Sequence, residues 1–134
     1  MFEYCRNIHV YETDLMGIVH HSNYLRFCEE ARVSWCQKLG LLDDTKKSVF
    51  GLVVYETRVK HLSPARYGDQ IVIQVQGRVE KAKLILQYQI LAEKRKLALA
   101  ETTHCRLDEN FKVLRFEKKL LAIMEKELWT EIWL

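Results

Sequence analysis

The sequence predicts one α+β domain, in which a long helix packs against an antiparallel sheet and a short helix follows near the end of the chain. The 134 residues include one Pro and five Gly and show no repeat or linker-like segment, so we expect a single domain over residues 1–134. Apolar residues recur at helical spacing after residue 22, whereas beyond residue 51 they mostly alternate with polar residues. The content of 49% hydrophobic and 29% charged residues is typical of a globular protein.

The first part of the chain predicts a strand, a loop and the long helix. Residues 3–12 are rich in aromatic and β-branched side chains, which favours a strand, and residues 13–22 favour a loop. The helix should begin around Ser22 or Asn23, which are good N-cap residues, and end near Gly40, a good C-cap residue. Its apolar positions form one stripe that we expect to be buried: Tyr24, Phe27, Cys28, Ala31, Trp35 and Leu39.

The rest of the chain predicts four strands in an antiparallel meander and a final short helix. The strands should span residues 51–62, 70–80, 83–93 and 96–108, with hairpin turns at residues 81–83 and 94–96 and the last helix over residues 117–127. One long helix covers only one face of such a sheet. The other face carries apolar residues such as Val72, Ile85 and Leu91, so we expect a homo-oligomer to bury part of it.

Composition excludes several classes of function. The net charge of +3 is mild and the basic residues are not clustered, which argues against a nucleic-acid partner. No segment approaches the ~20 apolar residues of a membrane span, and the first twelve residues lack the apolar core of a signal peptide. The four cysteines match neither a CxxC motif nor a zinc spacing, so we expect free thiols in a reducing cytoplasm.

Two motifs carry a resemblance to a known family. The segment TDLMGIVHHSNYLRFCEEAR (residues 13–32) and the corner LSPARYGDQIVI (residues 62–73), with a weaker match at CRLDENFKV (residues 105–113), resemble the 4-hydroxybenzoyl-CoA thioesterase family. The likeness is greatest to its Tol–Pal-associated acyl-CoA thioesterase branch. His20 departs from the family pattern, because an aromatic residue is common at that position. The corner His61-Leu62-Ser63 lacks the aromatic residue that is common before the Pro, and the residues after Asp108 depart as well.

The resemblance implies a fold and an activity. The fold would be the hotdog fold, a five-stranded antiparallel sheet wrapped around one long helix. The activity would be hydrolysis of a short-chain or aromatic acyl-CoA to the free acid and coenzyme A, without a cofactor or metal. The family also implies a homotetramer built as a dimer of dimers, in which two sheets join edge to edge and remove an exposed sheet edge.

The first motif contains the two components that thioester hydrolysis needs. These are a carboxylate, acting as nucleophile or general base, and hydrogen-bond donors for the oxygen that becomes negative. Asp14 lies in the loop seven residues before His21, and a helix N-terminus offers free backbone N–H groups with a partial positive charge. By resemblance, Asp14 is the catalytic carboxylate and the backbone N–H at or next to His21 is the donor. The His21 side chain would position water or hold Asp14.

Further residues are expected to bind substrate, and each has a structural alternative. His20 should line the acyl pocket beside Tyr24, and Asn23 should act as a cap that fixes the loop. Coenzyme A carries phosphates, so the basic residues near the second motif are its expected contacts: Arg58, Lys60 and Arg66. A loop Asp is usually a turn residue, and surface bases are usually solvated. No third ligand accompanies the two adjacent histidines at a suitable spacing, which argues against a metal site.

Other functions stay open at this stage. The main alternative is a non-catalytic module of the same fold that binds acyl-CoA or an acyl-carrier protein. A hydroxyacyl dehydratase would need a Pro-Gly loop, and Pro64 is the only proline. Glu29 on the helix is an alternative base, although a structural bond to Arg32 or to the opposing loop is the simpler interpretation. A role in an envelope complex is compatible with the enzyme. The sequence leaves open the acyl length, the choice between aromatic and aliphatic groups, and the carrier.

Overall fold

The structure, a computed structural model, describes residues 1–41 and 52–134 and has the predicted α+β architecture. All five predicted strands and both predicted helices are present within the described residues, and a two-residue strand is added. The predicted start of the second strand, at residue 51, lies outside the described residues. The elements are β1 (Phe2–Asn7), α1 (Ser22–Lys38), β2 (Leu52–His61), β3 (Gln70–Glu80), β4 (Lys83–Ala92), β5 (Arg95–Leu107), β6 (Val113–Leu114) and α2 (Lys118–Glu125).

The strand order of the sheet differs from the predicted meander at one connection. The strands lie in the order β1-β3-β4-β5-β2, all pairs are antiparallel, and β6 pairs with β5. The hairpins β3-β4 and β4-β5 are confirmed, with the second turn at residues 93–94 and β5 already starting at Arg95. The expected β2-β3 hairpin is wrong. Strand β2 pairs with β5 at the far edge, because residues 62–69 carry the chain across to the side of β1 instead of turning back.

The long helix packs on one face of the sheet, which we call the inner face. The predicted stripe of α1 is confirmed, since Phe27, Cys28 and Ala31 are fully buried and Trp35 is 1% exposed. Each large apolar side chain buried in this way contributes about 1.5–3 kcal/mol. Opposite them, Gly77 leaves room for the helices, because a Cβ there would come within 2.6 Å of a Leu86 methyl group and 3.3 Å of the Trp35 ring.

The first strand is shorter than predicted because a buried carboxylate ends it. Strand β1 stops at Asn7, and residues Val10–Glu12 form one turn of 3-10 helix. The Glu12 carboxylate accepts a hydrogen bond from the His9 backbone N–H at 2.8 Å and pairs with the Arg6 guanidinium at 2.8 Å. These contacts turn the chain away from the sheet at the point where the alternation of residue types alone would continue the strand.

The opposite, outer face of the sheet is partly covered by the chain itself. A polar row crosses four strands side by side, formed by Gln76, Gln87, Glu101 and Arg58. The segment 127–134 lies over this row, where the Trp133 backbone N–H donates to Gln87 Oε1 at 2.8 Å and Gln76 Nε2 donates to the Glu131 carbonyl at 2.6 Å. We call this segment the C-terminal strap. It takes part of the surface for which the sequence predicted oligomer contacts.

The cysteines and the helices of the described residues can be compared with what the composition predicts. All four cysteines are free, with Cys5 exposed and the other three buried. Burial raises the pKa of Cys28 to about 12 and that of Cys36 to about 11, so both are neutral thiols near pH 7. Over residues 1–41 and 52–134, no helix is both long and apolar enough to cross a bilayer.

Candidate active site

The loop before α1 is a tight hairpin that presents Asp14. The Asp14 N–H donates to the Ile18 carbonyl at 2.8 Å, and the Gly17 N–H donates back to the Asp14 carbonyl at 3.0 Å. Gly17 has φ +77°, a left-handed conformation that suits glycine. The Met16 N–H donates to Asp14 Oδ1 at 2.8 Å, so this carboxylate oxygen also makes an Asx-turn. No described residue donates a hydrogen bond to Oδ2, and this oxygen is available for chemistry.

The start of α1 is fixed by contacts that differ from the predicted caps. The helix begins at Ser22 with His21 in the N-cap position, and no side chain of Ser22 or Asn23 caps it. Asn23 already lies in the first turn, and its amide donates to the Glu12 carbonyl at 2.8 Å. It therefore fixes the loop as expected, but as a donor and not as a cap. The Ser22 N–H finds its acceptor in the His20 ring, at 3.2 Å from Nδ1.

The helix start leaves one backbone donor at the loop. The His20 N–H is bonded to the Glu12 carbonyl at 2.9 Å, and the Asn23 N–H to the His20 carbonyl at 3.0 Å. The His21 N–H lies between them, and no described residue accepts a hydrogen bond from it. A helix N-terminus with such a donor stabilises negative charge.

A cleft of about 430 Å³ brings the predicted carboxylate and helix start together. Its lining residues are Asp14, Ile18, Val19, His21, Tyr24, His61, Leu62, Ser63 and Pro64. The hairpin forms one wall and the end of β2 with the following corner forms the other. The two walls are tied together where the Val19 N–H donates to the Ala65 carbonyl at 2.9 Å. Most of the lining is apolar, so the few polar groups would orient a ligand.

Not every predicted site residue lies in this cleft. Asp14, His21 and Tyr24 line it, whereas His20 does not, because its ring turns to Ser22. Arg58 and Lys60 lie on the outer face, and Arg58 pairs with Glu101 at 2.9 Å. The strand alternates sides with a period of two, so these bases face away from His61 and from the cleft.

The structure also locates Arg66, at the rim of the cleft, and Glu29, on α1 outside the cleft lining. Arg66 is exposed, and its backbone forms an isolated antiparallel β-bridge with Ile18, a residue of the cleft wall. Glu29, the alternative base, is absent from the cleft lining and lies 3.8 Å from Arg32 on the same helix. A contact of Glu29 with Arg32 is one of the two structural roles expected for Glu29.

Tyr24 is a buried phenol at the base of the cleft. It is 4% exposed, and its ring meets the His61 ring edge-on at 4.9 Å between centroids. Burial raises the pKa of Tyr24 above its ordinary value, and its interaction with the Ala65 backbone opposes part of this rise. Tyr24 is therefore a neutral hydrogen-bonding group near pH 7.

Three residues of the site escaped the sequence interpretation. Glu12 anchors the helix start through its carbonyl, but it fell at the end of the predicted first strand, and a single acidic residue there gives no signal. His61 was noted only as a departure from the family pattern. Arg95 was assigned to a turn, yet it donates to the Pro64 carbonyl at 2.7 Å and the Ser63 hydroxyl at 3.0 Å. These bonds hold the corner that forms one wall of the cleft.

Metal ligation finds no support among residues 1–41 and 52–134. There, no three His, Cys, Asp or Glu side chains come together as a metal site would require. Among the described residues, the polar groups of the cleft are a carboxylate, a backbone donor at a helix N-terminus, two imidazoles, a phenol and the Ser63 hydroxyl.

Known proteins resemble this chain in both sequence and fold. Residues 8–123 match the sequence profile of the Thioesterase-like superfamily. The chain belongs to this superfamily. It is 31% identical over 106 residues to the 1,4-dihydroxy-2-naphthoyl-CoA hydrolase of Thermosynechococcus vestitus, covering 76% of this chain and 73% of that protein. It is also 29% identical over 85 residues to an acyl-CoA thioesterase of Helicobacter pylori, covering 63% of this chain and 62% of that one.

The fold has a close counterpart among solved structures. A crystal structure of an Aquifex aeolicus protein superposes with a TM-score of 0.83 at 31% identity, covering 92% of this chain and 99% of that chain. The predicted hotdog fold is thereby confirmed. The prediction of a thioester hydrolase is confirmed at the level of the family, whose named relatives include acyl-CoA thioesterases.

Proposed function

We propose that the protein hydrolyses acyl-CoA thioesters with Asp14 as the catalytic carboxylate. The observation that carries this proposal is the meeting of Asp14, with an uncommitted Oδ2, and the His21 backbone N–H in one cleft. The carboxylate would either take a proton from a water that attacks the thioester carbonyl carbon, or attack that carbon itself. In the second route the C–S bond breaks, the coenzyme A thiolate takes up a proton, and water then hydrolyses the anhydride on Asp14 to the free acid. The His21 N–H would donate to the carbonyl oxygen as it becomes negative, and coenzyme A would leave as its thiol.

The remaining residues of the site support this chemistry in the proposal. Asn23 holds the hairpin to the helix, which fixes the distance between carboxylate and donor. Tyr24 forms the base of the acyl pocket, and the His21 side chain orients water beside Asp14. Arg66, exposed at the rim, is the base we propose for a phosphate of coenzyme A. Within the part of the chain that the structure describes, the cleft lining contains neither Lys nor Arg, so we assign the cleft to the acyl group and the rim to the nucleotide.

Replacing Asp14 by Asn tests the proposal. The Asn side chain retains the oxygen that accepts the Met16 N–H, so the hairpin should survive while the carboxylate chemistry is lost. We expect thiol release from acyl-CoA to fall by about 100-fold or more. Asp108→Asn is a matched control, because Asp108 also makes an Asx-turn in a loop, accepting the Asn110 N–H at 2.8 Å. It should retain wild-type activity.

The outcomes separate the proposal from its main alternative. Equal activity of Asp14→Asn and the wild type would exclude Asp14 as the catalyst. A wild type that binds acyl-CoA but releases no thiol from any acyl-CoA or acyl-carrier-protein thioester would favour a binding module. A single turnover in heavy-oxygen water then tests for an attacking carboxylate, since unlabelled acid in the first turnover, with the label left on Asp14, requires an anhydride that water opens at the aspartyl carbon.

We further propose that the chain belongs to the 4-hydroxybenzoyl-CoA thioesterase family, in its Tol–Pal-associated branch, and forms a dimer of dimers. Within each dimer, both copies would contribute residues to each site. Strand β2 is an edge strand that pairs only with β5 among the described strands, and an open edge favours pairing with a second copy. Beside the cleft, Leu15 and Met16 are 107% and 78% exposed at the hairpin tip, as expected for residues that a partner would cover. Light scattering would measure the mass of the assembly, and a monomer would contradict this part of the proposal.

We also propose a cytoplasmic location, which the free thiols fit.

A further inference from the structure

The polar groups of the cleft differ in whether the protein already uses them. Asp14 Oδ1 accepts the Met16 N–H, and the Ser63 hydroxyl donates to the Lys96 carbonyl at 2.8 Å while accepting from Arg95. The imidazoles of His21 and His61, by contrast, make no hydrogen bond with any described residue, and the proposed function already assigns that of His21 to a water beside Asp14. In a mostly apolar cleft, an uncommitted polar group is the one that a ligand can satisfy.

The fold places His61 across the cleft from the reacting groups. It is the last residue of β2 and lies on the inner face, opposite Ala98 in β5. Ile90 and Ile73 continue the same row across the sheet, so the surroundings of His61 on that side are small or apolar. Asp14 and His21 lie on the hairpin and helix start, the other wall of the cleft.

His61 is exposed, and its imidazole packs on one side against Tyr24. The two rings meet at an interplanar angle of 75°, with 4.9 Å between their centroids. Tyr24 is itself held, because α1 buries it and its ring also packs edge-on against Phe27 at 5.8 Å. A ring restricted by such a contact loses less entropy when it binds a ligand than a free ring does.

We propose that His61 is a specificity-determining residue that hydrogen-bonds a hydroxyl or carbonyl oxygen on the acyl group. This inference rests on the proposed function, since it assigns the acyl group to the cleft. With the thioester carbonyl at Asp14 and the His21 N–H, the far end of the acyl group reaches the opposite wall, where His61 lies beside Tyr24. A neutral imidazole both donates and accepts, so it fits an oxygen substituent and gives nothing to a purely hydrocarbon chain.

The expected effect is a preference among matched substrates. A neutral hydrogen bond contributes about 2- to 10-fold to an equilibrium or rate ratio. The measured quantity is therefore the ratio of kcat/KM for a hydroxylated acyl-CoA to kcat/KM for its parent. Suitable pairs are ring-hydroxylated benzoyl-CoA with benzoyl-CoA, and hydroxyhexanoyl-CoA with hexanoyl-CoA.

Two variants separate the hydrogen bond from the ring packing. His61→Phe keeps an aromatic ring against Tyr24 but cannot hydrogen-bond, and we expect the ratio to fall to about 1. His61→Gln loses the ring but keeps a donor and an acceptor, and we expect it to retain part of the preference. His9→Phe is the matched control, because His9 is exposed, stacks on Tyr11 at 5.2 Å and lies outside the cleft. Its ratio should equal that of the wild type.

Four results would overturn the inference, and the absolute activities tell them apart. An active wild type with no preference in either pair, or a His61→Phe variant with the wild-type ratio, would exclude the specificity role while leaving the thioesterase intact. Equal losses on both members of a pair would mean that His61 acts on the reaction or on folding instead. A wild type that is inert on every thioester would reject the proposed function and this inference with it.

Discussion

The polar row under the C-terminal strap makes a prediction about stability that can be worked out from individual contacts. Gln87 is 1% exposed and is central to the row. Its Nε2 donates to Glu101 Oε2 at 2.6 Å, and its Oε1 accepts the Trp133 N–H at 2.8 Å. Replacing Gln87 by Leu would leave the carboxylate oxygen and the backbone N–H without these partners.

The loss in free energy of unfolding caused by Gln87→Leu can be estimated, and it has an upper limit. A buried polar group that loses its partner costs about 1–3 kcal/mol, so the two groups together would cost about 2–6 kcal/mol if both stayed buried. The strap can instead detach and rehydrate the Trp133 N–H, so the loss cannot exceed the free energy that holds the strap in place. We therefore expect the free energy of unfolding to fall by about 1–3 kcal/mol, with the strap released before the sheet unfolds.

Urea unfolding and limited proteolysis measure the two effects separately. Circular dichroism reports the unfolding of the sheet, and cleavage after the exposed Lys126 reports release of the strap. Gln89→Leu is the matched control, because Gln89 lies on the same strand and outer face but makes no side-chain hydrogen bond with a described residue. If Gln87→Leu matched this control in both unfolding and cleavage, the row would not hold the strap and the reasoning would be refuted.

Two further predictions concern substrate binding and pH. Arg66→Ala should raise KM for acyl-CoA while Arg58→Ala leaves it unchanged, because Arg58 lies on the outer face paired with Glu101; the opposite pattern in steady-state kinetics would contradict the proposed path of coenzyme A. Burial, with a smaller effect of Arg32, lowers the pKa of His104 to about 4 from about 6.5 when unfolded. The unfolded chain therefore binds the extra proton first, and stability should fall as the pH drops from 6.5 to 4, by on the order of 2–3 kcal/mol. His104→Asn should flatten this dependence in urea unfolding at pH 7 and pH 5.

The secondary structure could be predicted because it follows local patterns. The stripe of α1 and the alternation of β3 and β4 repeat over a few residues, and the structure has them where those patterns lie. The exceptions have long-range or single-contact causes. The end of β1 depends on the ion pair between Arg6 and Glu12, and the two-residue period of a strand carries no sign of it.

The loop and helix start of the candidate site were also predictable, since Asp14 and His21 are only seven residues apart, although the hairpin form of the loop was not predicted. Short segments can bring such groups together by local geometry alone, and the glycine at the bend and the helix pattern that follows both indicate it. The role of Asp14 in catalysis stays a prediction.

Placement on the two faces of the sheet could not be read from the sequence. The period of β2 separates His61 from Arg58 and Lys60, but it does not say which side carries the cleft. That depends on β2 pairing with β5 instead of β3, a contact between residues about 40 positions apart. The outer-face row shows the same limit, since the alternation of β3 and β4 gives no sign that Gln76 and Gln87 are only 2% and 1% exposed beneath the strap.

The sequence by itself determined the class of the fold, the helix with its buried stripe, and the short segment that combines a carboxylate with a helix N-terminus. The tertiary structure decided which strand closes the sheet, which histidines line the cleft with that carboxylate, and which bases lie away from it. The physical reason is that periodicity fixes which side chains share a face, whereas only the burial of those faces against one another fixes which faces meet.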